Sequence, residues 1–126
     1  MRKSSMRINK IDWISEEALE AEVIVTDGTF KVICFAQPLT YQEGSELSEP
    51  ICCFDTTNIV RSDDNKYKVE KLAGYFSYYL TGRLIDRING IVRVGGLLFE
   101  LEGKMLPGDI KEGEFISFCC ERLDLV

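Results

Sequence analysis

The side chains able to do chemistry in this chain are carboxylates, lysines and thiols, because it contains no histidine. Its five cysteines stand as Cys34, Cys52-Cys53 and Cys119-Cys120. Neighbouring residues of a strand point to opposite faces, so each pair can direct only one thiol toward a shared site, with Cys34 as a third ligand. Structural zinc centres favour a Cys-x-x-Cys type of spacing and often recruit histidine, and neither is present. The cysteines are therefore expected to be free thiols packed as small apolar groups, with no metal and no cofactor. A serine or cysteine nucleophile would need a lysine or carboxylate as its base. Carboxylates can serve as acid and base without histidine, yet no pattern here forces one into an apolar pocket.

One carboxylate constellation remains. Asp86 falls in a predicted strand, and a later strand ends in Glu100-Leu101-Glu102-Gly103-Lys104. An acidic residue followed by Glu-x-Lys resembles the core of metal-dependent nucleases, which hold Mg²⁺ on carboxylates and place a lysine near the attacking water. The resemblance implies a nuclease-like enzyme as the most distant of three functional readings. That family flanks its sheet with helices, for which no pattern exists here, and Glu102 and Lys104 suit the exposed end of a hairpin equally well.

A second constellation is aromatic and basic. Tyr75, Phe76, Tyr78 and Tyr79 adjoin Arg83, Arg87 and Arg93 and follow Lys66, Lys68 and Lys71. Rings beside cations are what a single-stranded nucleic-acid binder needs, which makes Tyr75, Tyr79, Arg83, Arg87 and Arg93 a candidate face. Alternation accounts for half of the rings as core, because Phe76, Tyr78 and Leu80 share one face. A net charge of −6 also disfavours phosphate contacts over the molecule as a whole.

That charge is unevenly spread. Residues 1–10 carry four positive charges and no negative ones, whereas residues 11–60 carry one positive and ten negative. Residues 61–93 reverse the sign with seven against four, and residues 94–126 return to three against seven. The acidic block contributes Glu16, Glu17, Glu20, Glu22, Glu43, Glu46 and Glu49, a candidate surface for a basic protein partner. Ordinary solvated faces would give the same block.

The elements that must position these groups are strands. A length of 126 residues with 45% apolar content fits one domain, residues 1–126, with residues 1–6 expected to be flexible. No apolar run approaches a membrane span, and the basic, polar start lacks a signal-peptide pattern, so a soluble cytoplasmic protein is expected. Residues 7–14 open the chain as a strand, and Ser15-Glu16-Glu17 reads as a turn. Residues 18–26 and 29–36 flank Asp27-Gly28, and residues 80–101 are broken by Asn89-Gly90 and Gly95-Gly96, of which the Asp-Gly and Asn-Gly turns are predicted to be type I′. Strands are also expected over 51–54, 58–61, 66–71, 75–88, 91–94, 97–102 and 114–125. Gly82 inside the longest run suggests a barrel corner. At most one short helix is expected.

From the Asp27-Gly28 hairpin through Gly82 to the closing strand that starts near 111–118, the layout resembles small Greek-key barrels of the oligonucleotide/oligosaccharide-binding type, and small bacterial β proteins with many hairpins. The resemblance implies an all-β, partly open, OB-like Greek-key barrel and transfers no site residues, because a shared fold does not set function. Size and acidity resemble those of small proteins that neutralise basic toxins. The leading expectation is a non-enzymatic binding module for a protein partner in a bacterial-type cytosol, ahead of single-stranded nucleic-acid binding.

Overall fold

Period-two patterning builds strands along nearly the whole chain. In the computed structural model, which describes residues 6–74, 76–101 and 106–125, eleven strands form. They are β1 (Arg7–Ser15), β2 (Glu20–Thr26), β3 (Lys31–Ala36), β4 (Ile51–Phe54), β5 (Thr57–Arg61), β6 (Lys68–Lys71), β7 (Tyr78–Asp86), β8 (Ile91–Val94), β9 (Leu97–Glu100), β10 (Phe115–Cys120) and β11 (Arg122–Leu125). The described residues contain no helix, so the fold is all-β as expected. One sheet runs in the order β1-β2-β3-β11-β4-β9-β8-β7-β10-β5, with β6 also on β7. It does not close on itself, an arrangement compatible with a partly open barrel. Two pairs are parallel, β11 with β3 and β4 with β9.

β7 is shared by three neighbours. Its first half pairs with β6 and its second half with β8, while β10 runs along its other edge. Gly82 stands where one neighbour gives way to the next. A Cβ there would lie 2.4 Å from the Arg93 carbonyl oxygen and 2.7 and 2.8 Å from the side chains of Val94 and Val92. The close approach of β8 thus requires glycine, a packing role where its place in the sequence suggested a barrel corner.

Both predicted type I′ turns are something else. Thr26 pairs with Lys31, leaving a four-residue loop, 27–30, in which only Gly28 has positive φ. The Asp27 carboxylate closes it by accepting from Thr29 N and Phe30 N, an Asx-turn device that replaces the left-handed conformation. Asp86 pairs with Ile91, and its carboxylate accepts from the backbone and side-chain amides of Asn89 in the same fashion. Gly95-Gly96 is a true two-residue hairpin, with Gly95 at φ 60°.

Further differences concern where runs begin and end. The strand expected from residue 75 starts at Tyr78, and just ahead of it Ser77 N donates to Gly74 O and Leu72 N to Ser77 O. The strand expected over 114–125 is two strands. A bend at Glu121, whose N–H donates to Phe54 O, moves the chain from beside β7 and β5 to a place between β3 and β4. Met6, at the end of the segment expected to be flexible, is buried and bonded. Its carbonyl accepts from Leu47 N, and its Sδ accepts from Leu98 N at 3.2 Å. Residues 1–5 lie outside the described residues.

The inward pleat holds the core. Val23, Leu80, Leu84, Phe99, Phe118 and Leu123 are among its fully buried members. Tyr78 joins them while its hydroxyl accepts from Ile33 N at 2.9 Å, linking β7 to the stretch of β3 that β11 leaves uncovered. Cys34, Cys53 and Cys120 point inward and Cys52 and Cys119 outward, as strand alternation predicts. No helix among the described residues is long and apolar enough to cross a membrane.

Candidate functional site

The β1–β2 hairpin end and the adjoining outer face of β2, β3, β11 and β4 each carry features a docking surface needs. At the β1–β2 hairpin end, Trp13, Ile14 and Leu19 are 43%, 52% and 43% exposed. Trp13 pairs with Ala21 and so shares the inward pleat, but here the core has run out and its ring meets solvent. The turn between them carries Glu16 and Glu17, both exposed, and Glu20 opens β2 beside it. Ser15 Oγ accepts from Ala18 N and Glu16 O from Leu19 N, so the turn is held by local bonds and Leu19 takes φ 56°.

The hairpin end is tied to a depression. Leu39 N donates to Leu19 O at 2.8 Å, which sets the 37–40 segment with its cis Gln37–Pro38 bond against the turn. Phe35, Gln37, Pro38, Thr40, Arg122, Asp124 and Leu125 line a depression of about 460 Å³. Arg122 is its centrepiece. The guanidinium lies between two rings, 4.9 Å from the centroid of Phe35 and 5.0 Å from that of Phe54, and bonds Asp124 through Nε and Nη2 at 2.7 and 3.2 Å. Stacking of this kind uses the flat, weakly hydrated guanidinium that lysine lacks. Phe54 is left half exposed on the outer side.

Cross-strand register extends the surface into a row. Asp12 faces Glu22, Glu22 faces Phe35, Phe35 faces Asp124, Asp124 faces Cys52, and Cys52 faces Glu100. Burial pushes the Cys52 thiol up, and the carboxylates of Glu100 and Asp124 push it further, so this thiol is protonated and unreactive at neutral pH. Burial does the same more strongly to Cys34 and Cys53. Among the described residues, no three histidine, cysteine, aspartate or glutamate side chains are arranged to hold a metal ion.

The seven glutamates singled out by composition divide accordingly. Glu16, Glu17, Glu20 and Glu22 belong to the hairpin and its outer face. Glu43 and Glu46 guard the open edge of β1, where Glu43 Oε2 accepts from Ile11 N and Glu46 pairs with Arg7. Glu49 is exposed ahead of β4 and belongs to neither group.

The aromatic and basic candidates divide too. Tyr79, Arg83 and Arg93 share the outer face of β7 and β8. Arg87 is drawn away, its Nη1 donating to Ile110 O and its N–H to Glu112 Oε2. Tyr75 lies outside the described residues, as do Glu102 and Lys104 of the nuclease-like motif. Asp86 and Glu100 are register partners of the same residue, Ile91, from opposite sides. Two strand spacings, about 10 Å, separate them, too far for one ion.

Sequence reasoning missed Arg122, Phe54 and the exposed apolar trio. Residues 94–126 counted only as a net acidic segment and residues 7–14 only as an opening strand, so neither Arg122 nor Trp13 was singled out. No family model, curated protein or solved structure gives a significant match to this chain.

Proposed function

We propose that this protein is a non-catalytic binding module that docks a basic protein partner on the β1–β2 hairpin end and the adjoining outer face. The observation that carries the reading is the exposed trio of Trp13, Ile14 and Leu19 within a rim of Glu16, Glu17 and Glu20. Binding energy at interfaces concentrates in a few aromatic and arginine residues inside a polar rim, and the trio with the Phe35–Arg122–Phe54 stack has that composition. The carboxylates steer a partner rich in lysine and arginine and align it as it docks. Size and acidity, as in small toxin-neutralising proteins, agree with such a role, and a reducing cytoplasm suits five unpaired thiols.

Affinity capture from an extract of the source cell tests this, with wild-type, Trp13→Ala and Glu16→Lys/Glu20→Lys proteins as parallel baits. A basic protein held by wild type, released by salt and lost by both variants is expected. Its affinity for Trp13→Ala should fall about 30-fold or more, the scale of an interface hot spot. An acidic partner, or one held equally by all three baits at high salt, overturns the proposal.

A further inference from the structure

Arg83 and Arg93 are direct register partners on the outer face of β7 and β8, and both are exposed. Opposed side chains of an antiparallel pair stand roughly 5 Å apart at Cβ, where like charges destabilise the sheet. Among the described residues, no carboxylate oxygen lies within 4 Å of either guanidinium to offset this. Arg83 is also fixed in place, its Nε donating to Gly113 O at 3.1 Å. Along the same face of β7, Tyr79 lies about 13 Å from Arg83, four residues at strand rise. Between them Lys68 faces Thr81 across β6, and its Nζ sits 5.8 Å from the centre of the Tyr79 ring. Glu70, opposite Tyr79, and Glu100, diagonal to Arg93, bound the stripe.

We infer that this stripe binds single-stranded nucleic acid, with Arg83, Arg93 and Lys68 on successive phosphates and the half-buried Tyr79 ring stacked on a base. The occupant follows from the geometry. Two opposed cations call for an anion between them, and a ring in line with the cations matches an alternation of phosphate and base. Stacking on the Tyr79 ring needs an unpaired base, which a single strand offers and a base-paired duplex does not. The surface shares no residue with the hairpin end, so it stands or falls apart from the protein-docking proposal.

Fluorescence anisotropy with a labelled oligothymidylate across a salt series is the test. Three phosphate contacts to a single strand give log K against log salt a slope of about −2. Arg83→Ala and Arg93→Ala should each flatten the slope by about 0.7. Arg93→Lys should keep it, and Tyr79→Leu should weaken binding about ten-fold with the slope unchanged. Far-UV circular dichroism of each variant establishes that it folds. Absence of binding at low salt, an unchanged slope in Arg93→Ala, or equal capture of the duplex form overturns the inference.

Discussion

Removing the Asp27 carboxylate severs a clasp between two hairpin ends that lie far apart in the chain. Its Oδ1 accepts from Thr29 N and Phe30 N at 2.8 and 2.7 Å, and its Oδ2 reaches across to Gly96 N at 2.6 Å. The site is only half-buried, so each bond contributes about 1 kcal/mol, below the roughly 1.5–3 kcal/mol of a hydrogen bond to a charged group. Asp27→Ala should therefore cost about 3 kcal/mol, or about 10 °C in Tm for a domain of this size. An asparagine has one acceptor oxygen, which can serve the local amides or Gly96 but not both, so Asp27→Asn should lose about half as much. Burial pushes this carboxyl up, but the N–H donors of Phe30, Gly96 and Thr29 together outweigh it and hold the group below its ordinary value. A carboxyl held down in the folded state contributes stability above its unfolded pKa, and that contribution disappears as pH falls through the folded value. The gap between wild type and Asp27→Ala should then be full at neutral pH and shrink below about pH 4. Urea unfolding followed by far-UV circular dichroism, at neutral pH and at about pH 3, measures both effects. An alanine variant within about 0.5 kcal/mol of wild type, an asparagine variant with no loss, or a gap unchanged in acid would refute the reasoning.

Three more outcomes follow from the fold. Gly82→Ala drives a Cβ into the Arg93 carbonyl and the side chains of Val92 and Val94, so urea unfolding should register a loss of about 3 kcal/mol or more. Tyr78→Phe keeps the ring but strands the Ile33 N–H that now meets its hydroxyl, which should cost about 1–3 kcal/mol and speed exchange of that amide. Cys34, Cys53 and Cys120 should resist iodoacetamide in the native protein at neutral pH and react together on unfolding, a difference that mass spectrometry counts directly.

Local pattern made much of the fold legible. Leu97, Phe99 and Leu101 turn inward and Glu100 outward, and the paired cysteines divide between the faces, because a strand has a period of two whatever its partner. Gly82 stood out for a related reason, since a glycine within a β-branched and aromatic run costs stability unless something approaches it closely, and β8 does. Turn types were less legible. Asp27 and Asn89 carry the residue types of a left-handed turn, yet side-chain acceptors close both loops instead.

Composition picked out acidic residues of which Glu16, Glu17, Glu20 and Glu22 share one end of the molecule, while Glu49 stands elsewhere. By itself the amino-acid order determined an all-β chain, its inward and outward residues and its excess of carboxylate. Only the tertiary structure decided that Arg122 slots between Phe35 and Phe54, that Arg83 meets Arg93, and that Trp13 runs past the end of the core. The physical reason is that alternation specifies which side of a strand a residue occupies but not which strand lies next to it. Neighbours are chosen by burial of the whole sheet, through parallel pairs such as β3 with β11 whose members sit at opposite ends of the chain.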